Sequence, residues 1–399
     1  MSWSRCRFGD VVEVNPKVHL ETGVEYPFLP MEDIVGGRKY NPPTQTRIFD
    51  KSGGSRFAND DTVLARITPC LENGKASKVK GLLEGVGFGS TEFFVFRAVK
   101  DLTDPDFVYY LAISDIIRQP AIKSMVGASG RQRADKGVVE NIIFNLPDLP
   151  TQRRIASILS AYDDLIENNN RRIALLEESM RLLYREWFVR LRFPGHEHVR
   201  VIDGLPEGWE RTKLRDVTSY INRGVSPKYG DSDNRWVLNQ KCVREGRLNT
   251  LLARQHITEY SIDKGVKFGD VLVNSTGIGT LGRVAQVYEE LENYTVDSHI
   301  TIVRPNERVE IDYFGLFLLG LQPYFEQMGA GSTGQTELSR DSIANANFIL
   351  PTIEVQKEFG NYISSQRQMI QNLLTQNIKL SEARDLLLPR LMSGEIDVS

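Results

Sequence analysis

The chain lacks any apolar run near the ~20 residues that a bilayer-spanning helix needs. Its longest candidate, Phe314 to Leu321, is broken by two glycines, so no membrane span is expected. The N-terminal Met-Ser-Trp-Ser-Arg-Cys-Arg has no apolar core of a secretory signal, which gives the expectation of a cytoplasmic product. Cysteine is scarce. Cys6, Cys70 and Cys242 are odd in number and far apart, which excludes a disulfide framework and a thiolate metal site. Of five histidines the close pair is His196 and His198, in a connector flanked by Gly and Pro, so no metal centre is expected. No Gly-Lys-Ser/Thr follows a glycine-rich loop, and ATP is not expected to bind this chain.

What is present is a chain of 399 residues, 41% apolar and 25% charged, long enough for two or three domains with buried cores. The chain repeats itself. Trp3-x-Arg5-x-x-Phe8-x-Asp10-Val11 returns 206 residues later as Trp209-x-Arg211-x-x-Leu214-x-Asp216-Val217. Asp106-Phe107 is echoed by Asp312-Tyr313, and Met125 through Gly130 by Met328 through Gly334. Phe144-x-Leu146-Pro147 before Gln152 matches Phe348-x-Leu350-Pro351 before Gln356. A period this long means two copies of a whole module rather than a solenoid. In each copy, short alternating runs such as TEFFVFR (Thr91 to Arg97) and HITIVR (His299 to Arg304) sit among turn residues and predict an α+β domain.

Each copy then ends in a helical pattern without internal Pro or Gly from Thr151 to Phe193. Ile155, Leu159, Tyr162, Ile166, Asn169, Ile173, Leu176, Met180, Leu183 and Trp187 step by four and three, a seam that needs one partner helix. Phe359, Ile363, Gln366, Ile370, Leu373, Asn377, Leu380, Arg384, Leu387 and Leu391 repeat the spacing, with Pro389 expected to end or kink the second helix near Leu388. Connectivity makes the pair antiparallel. If facing residue numbers sum to 546, Leu159 meets Leu387, Ile166 meets Leu380, Ile173 meets Leu373, Leu183 meets Ile363, and Asn169 meets Asn377. A slip by one heptad parts the two amides and sets one of them opposite an aliphatic side chain, so Asn169 and Asn377 are expected to fix register. From Gln152 to Phe188 the helix measures roughly 55 Å, about 16 base pairs of B-form DNA. Two related domains on such a ruler suggest two half-sites on one duplex.

Net charge is -3, from 49 Lys and Arg against 52 Asp and Glu, and gives no hint of a nucleic-acid partner. Its distribution does. Arg211 to Arg254 holds ten basic and four acidic residues, Gln255 to Leu350 six and thirteen, and Arg38 to Lys80 nine and four. Gly277-x-Gly279-x-x-Gly282 matches a dinucleotide fingerprint, with Asp297 twenty residues on, but the following Arg283 to Val287 reads as a strand, and a hairpin turn is expected instead. Asn41-Pro42-Pro43-Thr44 lacks the aromatic ring of an amino-methyltransferase motif and reads as a proline turn. Asp61, Glu72 and Lys75 have the wrong spacing for a nuclease and read as a solvated loop.

ITPCLENGK (Ile67 to Lys75), GFGSTEF (Gly87 to Phe93), LPTQRRIASILSAYDDLIENN (Leu149 to Asn169), FPG at Phe193 to Gly195 with GLPEGW at Gly204 to Trp209, and the C-terminal LLLPRLMSGEIDV occur in an order that resembles specificity subunits of type I DNA restriction-modification systems. The resemblance covers essentially the whole chain. It implies an α+β fold of two target-recognition domains, each followed by a long helix, the helices packed as an antiparallel coiled coil. On this chain the parts become residues 1–150 and 209–350 for the domains, 151–193 and 351–399 for the helices and tail, and 194–208 for the linker. The implied function is a prokaryotic, non-catalytic subunit that reads a bipartite gapped target in double-stranded DNA. Two methyltransferase subunits dock along its helices and ATP-dependent restriction subunits are recruited, with S-adenosylmethionine and ATP bound by those partners and no cofactor in this chain. The second helix opens Val355-Gln356-Lys357-Glu358-Phe359 where the first has Gln152-Arg153-Arg154-Ile155, so the two docking surfaces need not be equivalent. A coiled-coil adaptor with two protein-binding domains is the alternative.

By charge and turn position, the DNA-binding candidates are Arg38, Lys39, Arg47, Lys51, Arg56, Lys75 and Lys78, with Arg131, Gln132 and Arg133 after Gly130. In the second copy they are Arg223, Lys228, Arg235, Lys241, Arg244, Arg247, Gln335 and Thr336. Arg and Gln can pair bidentately with guanine and adenine edges respectively.

Overall fold

Short apolar alternations closed by Gly, Asn and Pro give each half its strands. The computed structural model describes residues 3–51, 53–128, 130–231, 234–329 and 337–398. The chain divides into two compact units, the first made of Met1–Arg172 and Leu373–Ser399 and the second of Ile173–Asn372.

The first unit begins with β1 (Trp3–Arg7), α1 (Phe8–Val11), β2 (Val12–Val14), β3 (Glu25–Leu29), β4 (Gln45–Ile48), β5 (Ser55–Ala58), β6 (Thr62–Ala65), β7 (Ala76–Lys78), β8 (Val86–Gly89) and β9 (Phe93–Ala98). Then come α2 (Pro105–Ile113), α3 (Asp115–Lys123), α4 (Lys136–Glu140), β10 (Ile143–Pro147) and the start of the long helix α5 (Leu149–Tyr184). One sheet is ordered β2-β9-β6-β7 and a second β4-β3-β8-β5, while β1 pairs with β10. Strand β9 is central to the first sheet and buries Phe93 through Phe96, covering both its faces with apolar residues. Helix α2 starts where Asp104 accepts the Asp106 and Phe107 N–H groups, with Pro105 in the first turn, where a missing N–H costs nothing. Phe107 and Tyr110 of α2 join Phe8, Phe94, Phe96, Ile155, Leu159 and Leu391 in one buried cluster.

The second unit contains β11 (Val201–Ile202), β12 (Leu205–Pro206), β13 (Glu210–Lys213), β14 (Thr218–Arg223), β15 (Trp236–Leu238), β16 (Val243–Arg244), β17 (Arg247–Leu248), β18 (Arg254–Gln255), β19 (Val271–Asn274), β20 (Val284–Gln286), β21 (Tyr294–Val296) and β22 (Ile300–Pro305). Helices α6 (Ile311–Gly320), α7 (Gln322–Gly329) and α8 (Arg340–Ala344), strand β23 (Asn347–Leu350) and the long helix α9 (Ile353–Met392) complete the order. Its sheet β14-β22-β19-β20 reproduces the order of β2-β9-β6-β7, and β13 with β23 reproduces β1 with β10. The repeat extends to single side chains. Arg97 grips Asp61 through Nε and Nη2, both at 2.7 Å, and Arg304 grips Asp270 in the same way at 2.7 and 2.8 Å. Gln152 and Gln356 are fully buried and make matching bonds: each Oε1 accepts the N–H of the capping residue of the shorter helix, Asp104 of α2 or Glu310 of α6, and each Nε2 donates to one carbonyl just before that residue and one just before the long helix. These carbonyls belong to Leu102 and Pro147 in one unit and to Arg308 and Pro351 in the other.

The glycine fingerprint is a hairpin. Strands β19 and β20 pair antiparallel across it, and Gly277, Gly279 and Gly282 all have left-handed φ. At Gly282 a Cβ would lie 2.6 Å from the Glu326 backbone nitrogen, so no larger residue fits. Asn41, in the proline turn, is buried, accepting from Val35 N–H and donating to the Arg38 carbonyl.

Within the first unit, α5 and α9 run antiparallel. Asn169 Nδ2 donates to Asn377 Oδ1 at 2.9 Å, and Asn377 Nδ2 donates to Asn170 Oδ1 at 3.0 Å. Asp163 meets Arg384, so residue numbers fall on one helix as they rise on the other. Replacing Asn169 by leucine is expected to cost about 1–2 kcal/mol, because it leaves the Asn377 carbonyl without its protein donor. Urea unfolding of the single variant beside the Asn169→Leu, Asn377→Leu double variant checks this. A single variant as stable as the parent removes the pair's role in register.

Pro389 does not end the helix, which corrects one of the two outcomes expected from sequence. Helix α9 continues through it to Met392, and Leu391 and Met392 are buried against Phe107, Ile155 and their neighbours. Core burial of these two side chains offsets the hydrogen bond that proline cannot donate. In the second unit α5 widens after Tyr184 into one π turn, Arg185–Val189, with Arg190 N–H donating to the Arg185 carbonyl at 2.9 Å. That turn buries the adjacent Trp187 and Phe188 together.

Candidate nucleic-acid interface

Several of the basic residues singled out from sequence are consumed inside the protein. Lys39 and Lys78 are buried: the Lys39 ammonium lies 2.8 Å from Asp106 and donates to Ser160 of α5 at 2.7 Å, while Lys78 donates to the Asp60 carbonyl at 2.9 Å. Burial pulls the Lys78 pKa below the ordinary lysine value. As placed, neither ammonium is presented to a phosphate, which corrects the expectation drawn from charge density alone. Arg38 pairs with Glu167 of α5 at 2.9 Å, Lys75 donates to the Met31 carbonyl at 2.8 Å, and Arg133 is bidentate with Glu92. Arg131 is exposed beside the half-buried Gln132.

The second unit shows the same division. Arg247 donates through Nε and Nη2 to Glu177 of α5, both at 2.6 Å, and thereby fastens β17 to the helix. Arg223 pairs with Glu337 at 2.6 Å and Arg244 with Glu245 at 3.1 Å. Lys228, Arg235 and Lys241 are exposed. Gln335 and Thr336 lie outside the described residues.

Three further candidates, Arg47, Lys51 and Arg56, lie on or beside the second sheet of the first unit. Arg47, on β4, lies 3.8 Å above the Phe28 ring, and its Nε and Nη2 donate to Gln45 Oε1 at 3.2 and 3.1 Å. Arg56 on β5 sits over Phe49 and opens, with Lys17 and His19, into a cleft. Lys51, between these strands, is exposed with left-handed φ. Sequence reasoning passed over Arg254 on β18, whose guanidinium lies 3.6 Å from the centre of the Tyr229 ring. No fixed spacing announces such a stack, because Tyr229 is 25 positions away and is brought there by the fold. Lys17 and His19 were missed for the same reason.

A family model for the type I restriction modification DNA specificity domain matches residues 2–178 and again residues 206–380. The chain belongs to the type I restriction-modification DNA specificity family. It is 31% identical over 158 residues to the EcoAI specificity subunit of Escherichia coli, a match spanning 38% of this chain and 26% of that protein. It is 24% identical over 420 aligned positions to the MjaVIII specificity subunit of Methanocaldococcus jannaschii, covering 99% and 93% of the two chains. A crystal structure of a type I restriction-modification system S subunit from M. genitalium shares the fold at a TM-score of 0.55 and 16% identity, over 100% of this chain and 97% of that one.

The long helices of this specificity-family chain also leave apolar residues outside their seam. In the first unit Ile158, Leu165, Ile378 and Leu386 are exposed; in the second, Leu175, Leu182, Tyr362 and Met369 are. The repeat relates six of these eight. Adding 204 to Ile158, Leu165 and Leu182 gives Tyr362, Met369 and Leu386, so each unit carries a version of one surface. The opening turns differ in sequence, as Arg153-Arg154 against Lys357-Glu358, but this apolar surface is common to both. Among the described residues no helix is long and apolar enough to cross a membrane.

Proposed function

We propose that the chain is the non-catalytic DNA-reading subunit of a type I restriction-modification complex, each specificity domain reading one half of a split target in double-stranded DNA. The observation that carries this is the duplicated specificity domain, matched twice by one family model and repeated down to the Arg97–Asp61 and Arg304–Asp270 grips. One methyltransferase subunit docks on each exposed helix surface, at Leu165 and its neighbours in one unit and Met369 and its neighbours in the other. Restriction subunits join that assembly. In this reading S-adenosylmethionine and ATP are bound by the partners, and the methyl transfer and cleavage are theirs. The two docking surfaces explain why apolar residues of this size stay uncovered on otherwise charged helices.

Mapping methylated bases in a host genome, with and without the gene for this chain, tests the proposal. The expected result is one gapped motif that disappears when the gene is removed. A chain with both Leu165→Asp and Met369→Asp is expected to stay folded, since both positions face outward, yet to lose the methylation and fail to co-purify with the methyltransferase. Methylation that persists without the gene overturns the proposal.

A further inference from the structure

Two arginines in the molecule are built alike although they come from different units and share no sequence motif. Arg47 lies on β4, the edge of the sheet β4-β3-β8-β5, and Arg254 on β18, the outermost strand of β18-β15-β21. Each edge strand runs antiparallel to its neighbour, and that neighbour is paired in parallel with the next strand, β8 or β21. Each guanidinium carbon lies over an aromatic ring, 3.8 Å from the centre of Phe28 and 3.6 Å from that of Tyr229. Both arginines are exposed, and neither takes part in an ion pair among the described residues. This sets them apart from Arg38, Arg97, Arg133, Arg223, Arg247 and Arg304, whose charges are matched by carboxylates.

The construction suits a base edge better than a phosphate. A phosphate needs only positive charge within reach, and a mobile lysine supplies it. Bidentate pairing needs a guanidinium held in plane, and a ring beneath it holds the plane before the ligand arrives, so little rotamer entropy is lost on binding. In the first unit Gln45 adds a second constraint, accepting from Nε and Nη2 and so fixing rotation about the stack. This occupies the side-on edge of the fork. The end-on edge, with Nη1 and the remaining hydrogen of Nη2, is the pair of donors that matches O6 and N7 of guanine. All four residues of β4 are exposed, including Ile48, on a sheet edge that proteins ordinarily shield. A two-stranded ribbon of this kind fits the width of the major groove.

We propose that Arg47 and Arg254 each read a guanine in the major groove, one in each half of the target, with Gln45 as the positioning residue for Arg47. This rests on the DNA-reading function proposed above and names the side chains that carry it.

The test uses the chain expressed with its own partner subunits and maps the methylated motif in cells for the parent, Arg47→Lys, Arg254→Lys and Gln45→Ala. Lysine keeps the charge and loses the planar fork. Arg47→Lys is expected to relax one guanine position in one half of the motif and Arg254→Lys one guanine position in the other, each half otherwise unchanged. For the purified complex, affinity for the parent motif is expected to fall about 10- to 100-fold for either lysine variant, while affinity for unrelated duplex holds. Gln45→Ala is expected to loosen the same position as Arg47→Lys, more weakly. An unchanged motif in both lysine variants, beside an intact parental motif, overturns this assignment alone. Uniform weakening on all sequences makes them phosphate contacts and overturns it as well. A parent that yields no split motif overturns the DNA-reading function and this assignment together. Circular dichroism of each variant, matched to the parent, keeps misfolding from passing as a positive result.

Discussion

Replacing Arg384 by alanine is expected to destabilise the first unit by about 3–5 kcal/mol, the range found when one partner of a buried ion pair is removed. Arg384 is buried on α9, and its guanidinium serves three acceptors at once: the Asp163 carboxylate of α5, the Gly37 carbonyl at 2.9 Å, and Asp385 at 2.8 and 2.9 Å. Asp163 is buried too and also accepts from the Tyr110 hydroxyl at 2.5 Å. Alanine would strand that carboxylate among Tyr110, Ser160 and the helix seam. The expected sequel is that Asp163→Asn restores much of the loss in the Arg384→Ala background, since a neutral amide costs far less to bury. Urea unfolding of the four members of this cycle measures the coupling, and a loss below about 1 kcal/mol for Arg384→Ala, an effect of surface-pair size, overturns the reading.

Phe188→Ala is expected to cost the second unit about 3–5 kcal/mol, as for other large-to-small changes in a packed core. The Phe188 ring is buried and lies 4.4 Å from Tyr313, 4.9 Å from Phe359, 5.2 Å from Tyr184 and 5.8 Å from Trp209, centre to centre. These neighbours come from α6, α9, α5 and the segment before β13, so one ring ties four parts of the unit together. Rings so arranged cannot all collapse into the space that alanine leaves, and the cavity term is close to its maximum. Leucine at 188 should recover part of the loss. Thermal unfolding with a probe in each unit distinguishes this from a general effect, because the first unit should change little. Equal loss in both units contradicts the prediction.

The parts of this molecule that were legible in sequence are those governed by period and repetition. The seam from Ile155 to Trp187 follows from helical spacing, and the Asn169–Asn377 contact follows from aligning two seams of opposite direction. Gln152 and Gln356 stood out only as a repeated letter; their three matched hydrogen bonds needed coordinates. That α9 continues past Pro389 was not legible, because the burial of Leu391 outweighs local helix propensity there. Charge was the least legible property. Lys39 and Arg247 look like surface cations in sequence, and their partners, Asp106 and Glu177, lie 67 and 70 positions away. Arg254 was overlooked for the converse reason, since the ring that marks it belongs to a distant segment.

The twin glutamine clasps carry a mechanical corollary. Gln152 and Gln356 sit in the first turn of α5 and α9, and each is bonded to the backbone entering that turn and, twice, to the segment that precedes α2 or α6. A joint fastened at three points does not swivel. Torque placed on either helix by an attached protein is therefore handed on to the sheet at its root instead of dissipating in a loose hinge.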